Sequence, residues 1–190
     1  MSEDKENEKI VFKGKTEFIS KCVVIGDPAV GKTSLLKQFT THQFQEKYLP
    51  TVGVNIVKEP IELDEEDATV NIMFWDIAGQ PQFYMLHKPY FKGADAIILV
   101  FDVTRSSTFS NVKNWYQTAV KFGLSGVPRI LVANKIDLKD ERKIILPMIK
   151  HRADELNCPY LETSALTGKN VELLFKNVAK MIYKSKREER

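Results

Sequence analysis

Cysteine is almost absent from this 190-residue chain; Cys22 and Cys158 are the only two. One lies in an apolar run and the other beside Pro159, with no metal-ligand spacing between them. They read as free thiols in a reducing compartment rather than as a disulfide. Long apolar runs are also missing. The longest, AIILVF at 96–101, is far too short to cross a bilayer. The opening MSEDKENEK has no apolar signal core and no glycine behind the initiator methionine, so a cytoplasmic location is expected. His42, His87 and His151 have no cysteine or carboxylate set arranged around them for a metal, and they read as surface or loop residues. The net charge of +3 is small and the basic residues are spread along the chain, so no nucleic-acid partner is expected.

What remains is the balance of a globular domain, 43% hydrophobic and 28% charged, with length for one full core. Residues 1–15 are polar and aperiodic and read as a mobile tail. From Phe18 short apolar runs alternate with helical patterns, the mark of a mostly parallel sheet with crossover helices. The strand candidates are 18–26, 55–63, 69–76, 96–102, 129–134 and 159–164. The second and third are joined by DEED at 64–67, short enough for a hairpin, which makes one antiparallel pair. Pro60 in the second places it at the sheet edge, where a missing N–H costs little. Val112, Trp115, Tyr116, Ala119 and Val120 form one buried helical stripe. Val171, Leu174, Phe175, Val178, Ala179 and Ile182 form another, behind Asn170 as N-cap. These aromatics read as core. A single domain over 16–184 is expected, followed by a frayed, mixed-charge end at 185–190.

Three motifs carry chemistry. GDPAVGKT at 26–33 matches the phosphate-loop pattern and stands between an apolar strand and a helix start. There Lys32 is expected to reach the terminal phosphates and the Thr33 hydroxyl to ligate Mg²⁺. The motif leaves ATP and GTP open. In WDIAGQ at 75–80, Asp76 ends a neighbouring strand and suits a carboxylate that holds Mg²⁺ through water. Gly79, lacking a Cβ, lets its backbone approach a phosphate, and Gln80 stands where an amide can position water. NKID at 134–137 follows a strand and so lies at the carboxyl end of the sheet. Asp137 can accept from the ring N1–H and the 2-amino group of guanine, whereas adenine would leave that carboxylate unsatisfied. Asn134 and Lys135 would brace the loop and the base.

The order GDPAVGKT, WDIAGQ, NKID, ETSAL resembles a small GTPase of the Ras superfamily over about residues 18–183. PYFKGADAIILVFDVT (89–104) and TVGVNI (51–56) are most similar to the Rab branch. The resemblance implies an α/β P-loop NTPase fold, a three-layer sandwich with a six-stranded, mostly parallel sheet, one antiparallel edge strand and helices on both faces. It implies backbone contacts to phosphate from Ala29, Val30, Gly31, Lys32, Thr33 and Ser34. By the same likeness Phe44 packs on the guanine, Tyr48 closes over the phosphates, and Thr51 binds Mg²⁺ and the γ-phosphate. Ser164, Ala165 and Leu166 form the last base loop, where the Ala165 N–H meets the guanine oxygen.

The function so implied is a GTP-hydrolysing switch with Mg²⁺ as cofactor and Gln80, Lys32 and Gly79 at the reaction. Effector, exchange-factor and GTPase-activating partners would meet it through about residues 45–54 and 77–92. A monomer is expected. Arg105 is expected to lie well away from the site, so no arginine acts in cis and unassisted turnover is slow. An arginine from a partner would add roughly 10³–10⁵ in rate.

Four departures from the family pattern matter. Pro28 replaces a glycine or small residue; the resemblance implies that it precedes the amides that hold phosphate, with its ring near the space of Gln80 and of a partner arginine. Pro81 follows Gln80 where an acidic residue is usual, and reads equally as a stiffer loop or as altered partner control. Leu166 replaces a frequent lysine, with little consequence for a backbone contact. The end SKREER holds no cysteine for prenylation, so membrane contact is expected only through a longer native chain or an adaptor. The competing readings are a GTP-bound scaffold that does not turn over, favoured by Pro28 and Pro81, and a small-metabolite kinase. The kinase would leave NKID unexplained.

Overall fold

The computed structural model describes residues 16–42, 51, 53–79 and 88–188. The tail 1–15, Phe44, Tyr48, Gln80, Pro81 and His87 lie outside the described residues. In chain order the elements are β1 (Thr16–Ile25), α1 (Lys32–Thr41), β2 (Val54–Leu63), β3 (Ala68–Ile77), α2 (Lys88–Phe91), β4 (Ala96–Asp102), α3 (Ser106–Lys121), β5 (Arg129–Asn134), α4 (Leu146–Glu155), β6 (Tyr160–Thr163) and α5 (Val171–Glu188). The strands form one sheet in the order β2-β3-β1-β4-β5-β6. β2 and β3 are antiparallel and every other pairing is parallel. Each strand begins and ends within two residues of its expected bounds. β2 is the edge strand, and Pro60 pairs there opposite Asn71.

Alternation along the strands sends side chains to two separate cores. On β1, Cys22 and Val24 join α1 and α5, while Val23 and Ile25 join α2, α3 and α4. Helices thus cover both faces. A strand in the middle of such a sheet has no wet side, which is why AIILVFD of β4 is buried at every position. Cys22 and Cys158 are both free thiols, Cys22 fully buried and Cys158 half-buried.

Two expectations need correction. The expected stripe of α5 is buried throughout, but in α3 Val112, Trp115 and Ala119 are buried while Val120 is 37% exposed. Successive helical residues point about 100° apart, so Val120 turns off the face that Ala119 occupies. The chain end also differs. α5 runs to Glu188, so residues 185–188 are helical rather than frayed. Lys186 helps to hold this turn, donating to the Ile19 carbonyl at 2.8 Å and pairing with Asp95 at 3.2 Å. Among the described residues no helix is long and apolar enough to cross a membrane.

The parallel strands all point to one edge of the sheet: β1 ends at Ile25, opposite Leu99, while β4, β5 and β6 run on to Asp102, Asn134 and Thr163. The loops leaving this edge carry the motifs, as open α/β sheets require.

Candidate functional site

The 26–31 loop leaves β1 and turns directly into α1, with Gly31 at the helix start. Lys32 is folded back under the loop, where its Nζ donates to the carbonyls of Gly26 at 2.8 Å and Asp27 at 2.9 Å. Burial pushes the Lys32 ammonium down to about 8, against the opposing pull of Asp76 and Asp27. A buried lysine without a full countercharge is a strong attractor for an anion.

Asp76, opposite Val24 across the β1–β3 pairing, is completely buried. Its Oδ2 accepts a short hydrogen bond from Thr33 Oγ1, and Thr33 Oγ1 lies 2.9 Å from Thr51 Oγ1. Asp76 Oδ1 has no partner among the described residues. Burial raises the Asp76 carboxyl above its ordinary value, against the Thr33 hydrogen bond and the nearby Lys32. Three segments thus bring two hydroxyls and one under-satisfied carboxylate together. That donor set is all oxygen and hard, and it fits Mg²⁺ rather than a transition metal. Among the described residues no group of three His, Cys, Asp or Glu side chains could hold a metal.

Gly79 explains itself by contact. A Cβ there would lie 2.5 Å from the Asp27 carbonyl carbon and 2.6 Å from the Pro28 nitrogen. The residue after the aspartate strand therefore presses on the backbone of the phosphate loop, and only glycine can do so.

The other end of the site is built around Asn134, which is buried at the end of β5. Its Nδ2 donates to the Val30 carbonyl at 2.9 Å. Its Oδ1 accepts from Thr163 Oγ1 at 3.1 Å and from the Ala165 N–H at 3.2 Å. One side chain thereby ties the phosphate loop, β6 and the loop after β6. Ser164 Oγ donates to Asp137 Oδ1 at 2.5 Å, which fixes that carboxylate relative to the last loop. Lys135 adopts a left-handed φ of 70° and its Nζ lies 2.7 Å from Asp102 Oδ2. Ser34 is half-buried in the first turn of α1, and Leu166 is half-exposed beside Ala165. Of the expected site residues, Phe44, Tyr48 and Gln80 lie outside the described residues.

Arg105 is where expectation fails. It does not lie well away from the site; its Nη2 donates to the Pro28 carbonyl at 2.9 Å. β4 pairs with β1, so the residues that follow β4 come back beside the loop that follows β1. Strand adjacency of that kind is a tertiary fact that no local pattern announces. Asp102 was also missed, although it ends an apolar strand just as Asp76 does, and the same signal would have marked it. Asp27 is a third omission: its carboxylate accepts from Trp115 Nε1 at 2.8 Å and Asn111 Nδ2 at 2.9 Å. Trp115 is therefore both core and a support of the loop.

Known proteins resemble this chain over most of its length. The model of the Ras family matches residues 21–184. The chain is 40% identical over 166 residues to GTP-binding protein ypt1 of Schizosaccharomyces pombe, covering 87% of this chain and 81% of that one. It is 38% identical over 169 residues to GTP-binding protein YPT1 of Saccharomyces cerevisiae, covering 89% and 81%. It is 37% identical over 167 residues to Ras-related protein Rab-1 of Theileria annulata, covering 87% and 75%. The chain belongs to the Ras family and, within that superfamily, to the Rab branch of small GTPases, which hydrolyse GTP to GDP.

Proposed function

We propose that this chain is a Mg²⁺-dependent switch that holds GTP or GDP across the edge of the sheet described above and acts as a monomer in membrane trafficking. The observation that supports it most is the bridge from Asn134 to Val30, which joins a guanine-suited loop to a phosphate-suited one. The amides of Ala29, Val30, Gly31, Lys32, Thr33 and Ser34 surround the phosphates, and Lys32 exchanges its backbone carbonyl partners for phosphate oxygens. Asp137 reads the guanine N1–H and 2-amino group, the Ala165 N–H meets its 6-oxygen, and Lys135 lies along the base with Phe44 opposite. Ser164 and Leu166 complete that loop.

Thr33, Thr51 and Asp76 would hold Mg²⁺, which would supply charge neutralisation for the phosphates. Gln80 orients water in line with the bond to the leaving oxygen. Oxygen–phosphorus bond formation then accompanies loss of the bond to GDP, and the water protons pass to the phosphate product and solvent. Lys32 and the loop amides stabilise the charge gathered on the leaving side. Release of the γ-phosphate frees Thr51 and Gly79, so the segments 45–54 and 77–92 change the surface shown to effectors and regulators. Tyr48 closes over the bound phosphates. The protein works in the cytoplasm and peripherally at membranes.

Unassisted turnover is slow, and Pro28 weakens stimulation by a partner's arginine. Its nitrogen lies against Gly79, next to Gln80 in the chain, and this contact supports the idea. The same contact favours one second reading, a GTP-bound scaffold that does not turn over. Identifying the co-purifying nucleotide, with single-turnover hydrolysis in excess Mg²⁺, separates the two. Bound GDP with slow phosphate release from added GTP supports the switch, stable bound GTP supports the scaffold, and bound ATP overturns the base assignment. For Pro28→Gly, a partner-stimulated rate equal to wild type sinks the proline effect.

A further inference from the structure

Arg105 is gripped through two nitrogens of its guanidinium. Nη2 donates to the Pro28 carbonyl at 2.9 Å and Nε donates to Asp102 Oδ2 at 3.1 Å. Asp102 is 1% exposed and is itself held by the Thr104 N–H at 2.9 Å and Thr104 Oγ1 at 2.7 Å. A planar guanidinium fixed through two nitrogens is held in orientation. What it holds is unusual. Pro28 has no N–H, so its carbonyl is its only backbone hydrogen-bonding group. In a trans peptide the carbonyl of Pro28 and the N–H of Ala29 point in opposite directions, and the described residues contain no cis peptide. The bond from Arg105 therefore turns the Ala29 N–H away from the Arg105 side chain. Ala29 sits at φ 60°, in the left-handed region that an alanine avoids. Local preference does not produce this loop shape; a contact from outside must hold it. The preceding residue is held too, by Trp115 and Asn111 on the Asp27 carboxylate.

We propose that Arg105 is a positioning residue for phosphate binding and hydrolysis, one that sets the Pro28–Ala29 peptide so that the Ala29 N–H is presented to the nucleotide. The role rests on the proposed GTP-binding site. Asp102 extends it, because the same Oδ2 that takes Arg105 also takes Lys135 of the base loop. One buried carboxylate thus registers the phosphate loop against the base loop.

The test compares Arg105→Ala and Arg105→Lys, each alone and combined with Ala29→Gly. The readouts are dissociation of fluorescent GDP, affinity for guanosine, single-turnover GTP hydrolysis and the unfolding midpoint. Arg105→Ala should speed GDP release and slow hydrolysis about tenfold, the worth of one charge-assisted hydrogen bond, and leave guanosine affinity unchanged. Glycine at 29 adopts the left-handed shape without help, so the loss caused by Arg105→Ala should shrink in that background. Lysine keeps the charge but lacks the rigid planar fork that fixes the direction of both bonds, so it should restore the rates only in part. Wild-type rates in Arg105→Ala overturn the role. So does full rescue by lysine, which would mean that charge alone matters, and so do equal losses for GDP and guanosine with a lowered midpoint, which would mean general loosening. A wild-type chain that binds no guanine nucleotide overturns the function itself, a result distinct from all of these.

Discussion

Gly31 and Asn134 stand so close that a Cβ on Gly31 would lie 2.2 Å from Asn134 Nδ2. The glycine is needed twice over, because its φ of 102° is also closed to other residues. Gly31→Ala should displace the Asn134 amide, weaken GDP binding and lower the unfolding midpoint. In an Asn134→Ala background the added methyl meets no amide, so its further cost should be smaller; a double-mutant cycle on unfolding free energy checks this.

Asn134→Ala alone should be among the more damaging single changes outside the apolar core. It orphans the Val30 carbonyl and the Ala165 N–H, both of which it now satisfies. Leaving buried groups of this kind unpaired costs about 1–3 kcal/mol each. Urea unfolding at saturating GDP and without it would show whether the loss falls on the fold, the nucleotide, or both.

Gly79→Ala places a methyl against backbone rather than a flexible side chain, so no rotamer relieves it. The expected result is a phosphate loop forced apart from the residue that precedes Gln80. Single-turnover hydrolysis should fall more than GDP affinity does. Equal losses in both would show that the contact serves binding only.

Asp76→Asn removes a buried charge whose Oδ1 has no partner among the described residues. Stability in EDTA should hold or rise, since the desolvation penalty is relieved. Mg²⁺ affinity in the GDP complex should fall about 10–100-fold, as for other groups that act on a metal through its outer shell. The checks are the unfolding midpoint in EDTA and a Mg²⁺ titration of GDP release.

The pH limits of stability follow from two kinds of group. Burial pushes the Cys158 thiol up to about 11, from 9.0, and raises Cys22 as well. Below pH 9 both folded and unfolded chains keep these protons. Between about pH 9 and 11 the unfolded chain releases them first, so stability is lost as pH rises. Cys158→Ala should flatten that alkaline slope in urea titrations. On the acid side, burial alone would raise Asp102, but hydrogen bonds from Lys135 and Thr104 outweigh it and hold the carboxyl below its usual range. Its contribution is present above pH 3.8 and is lost as pH falls further, so Asp102→Asn should flatten the acid limb.

Much of this was written locally. Alternating and continuous apolar runs marked the strands because the pleat repeats every two residues and a central parallel strand is buried on both sides. Pro60 marked the edge because it lacks a donor. The order of motifs marked the site because each follows a strand whose carboxyl end faces the same crevice. Val120 was misplaced because periodicity shows that a stripe exists but not how wide the sheet beneath it is.

The chain alone therefore determined the strands, the loop chemistry and the class of nucleotide, all of which depend on residues near one another in sequence. Tertiary structure decided the rest. It brought Arg105 to Pro28 across 77 positions and Trp115 to Asp27 across 88. It also left one oxygen of Asp76 buried without a partner among the described residues. Those relations depend on β4 pairing with β1 and on what is excluded from water, and neither quantity exists until the sheet has closed.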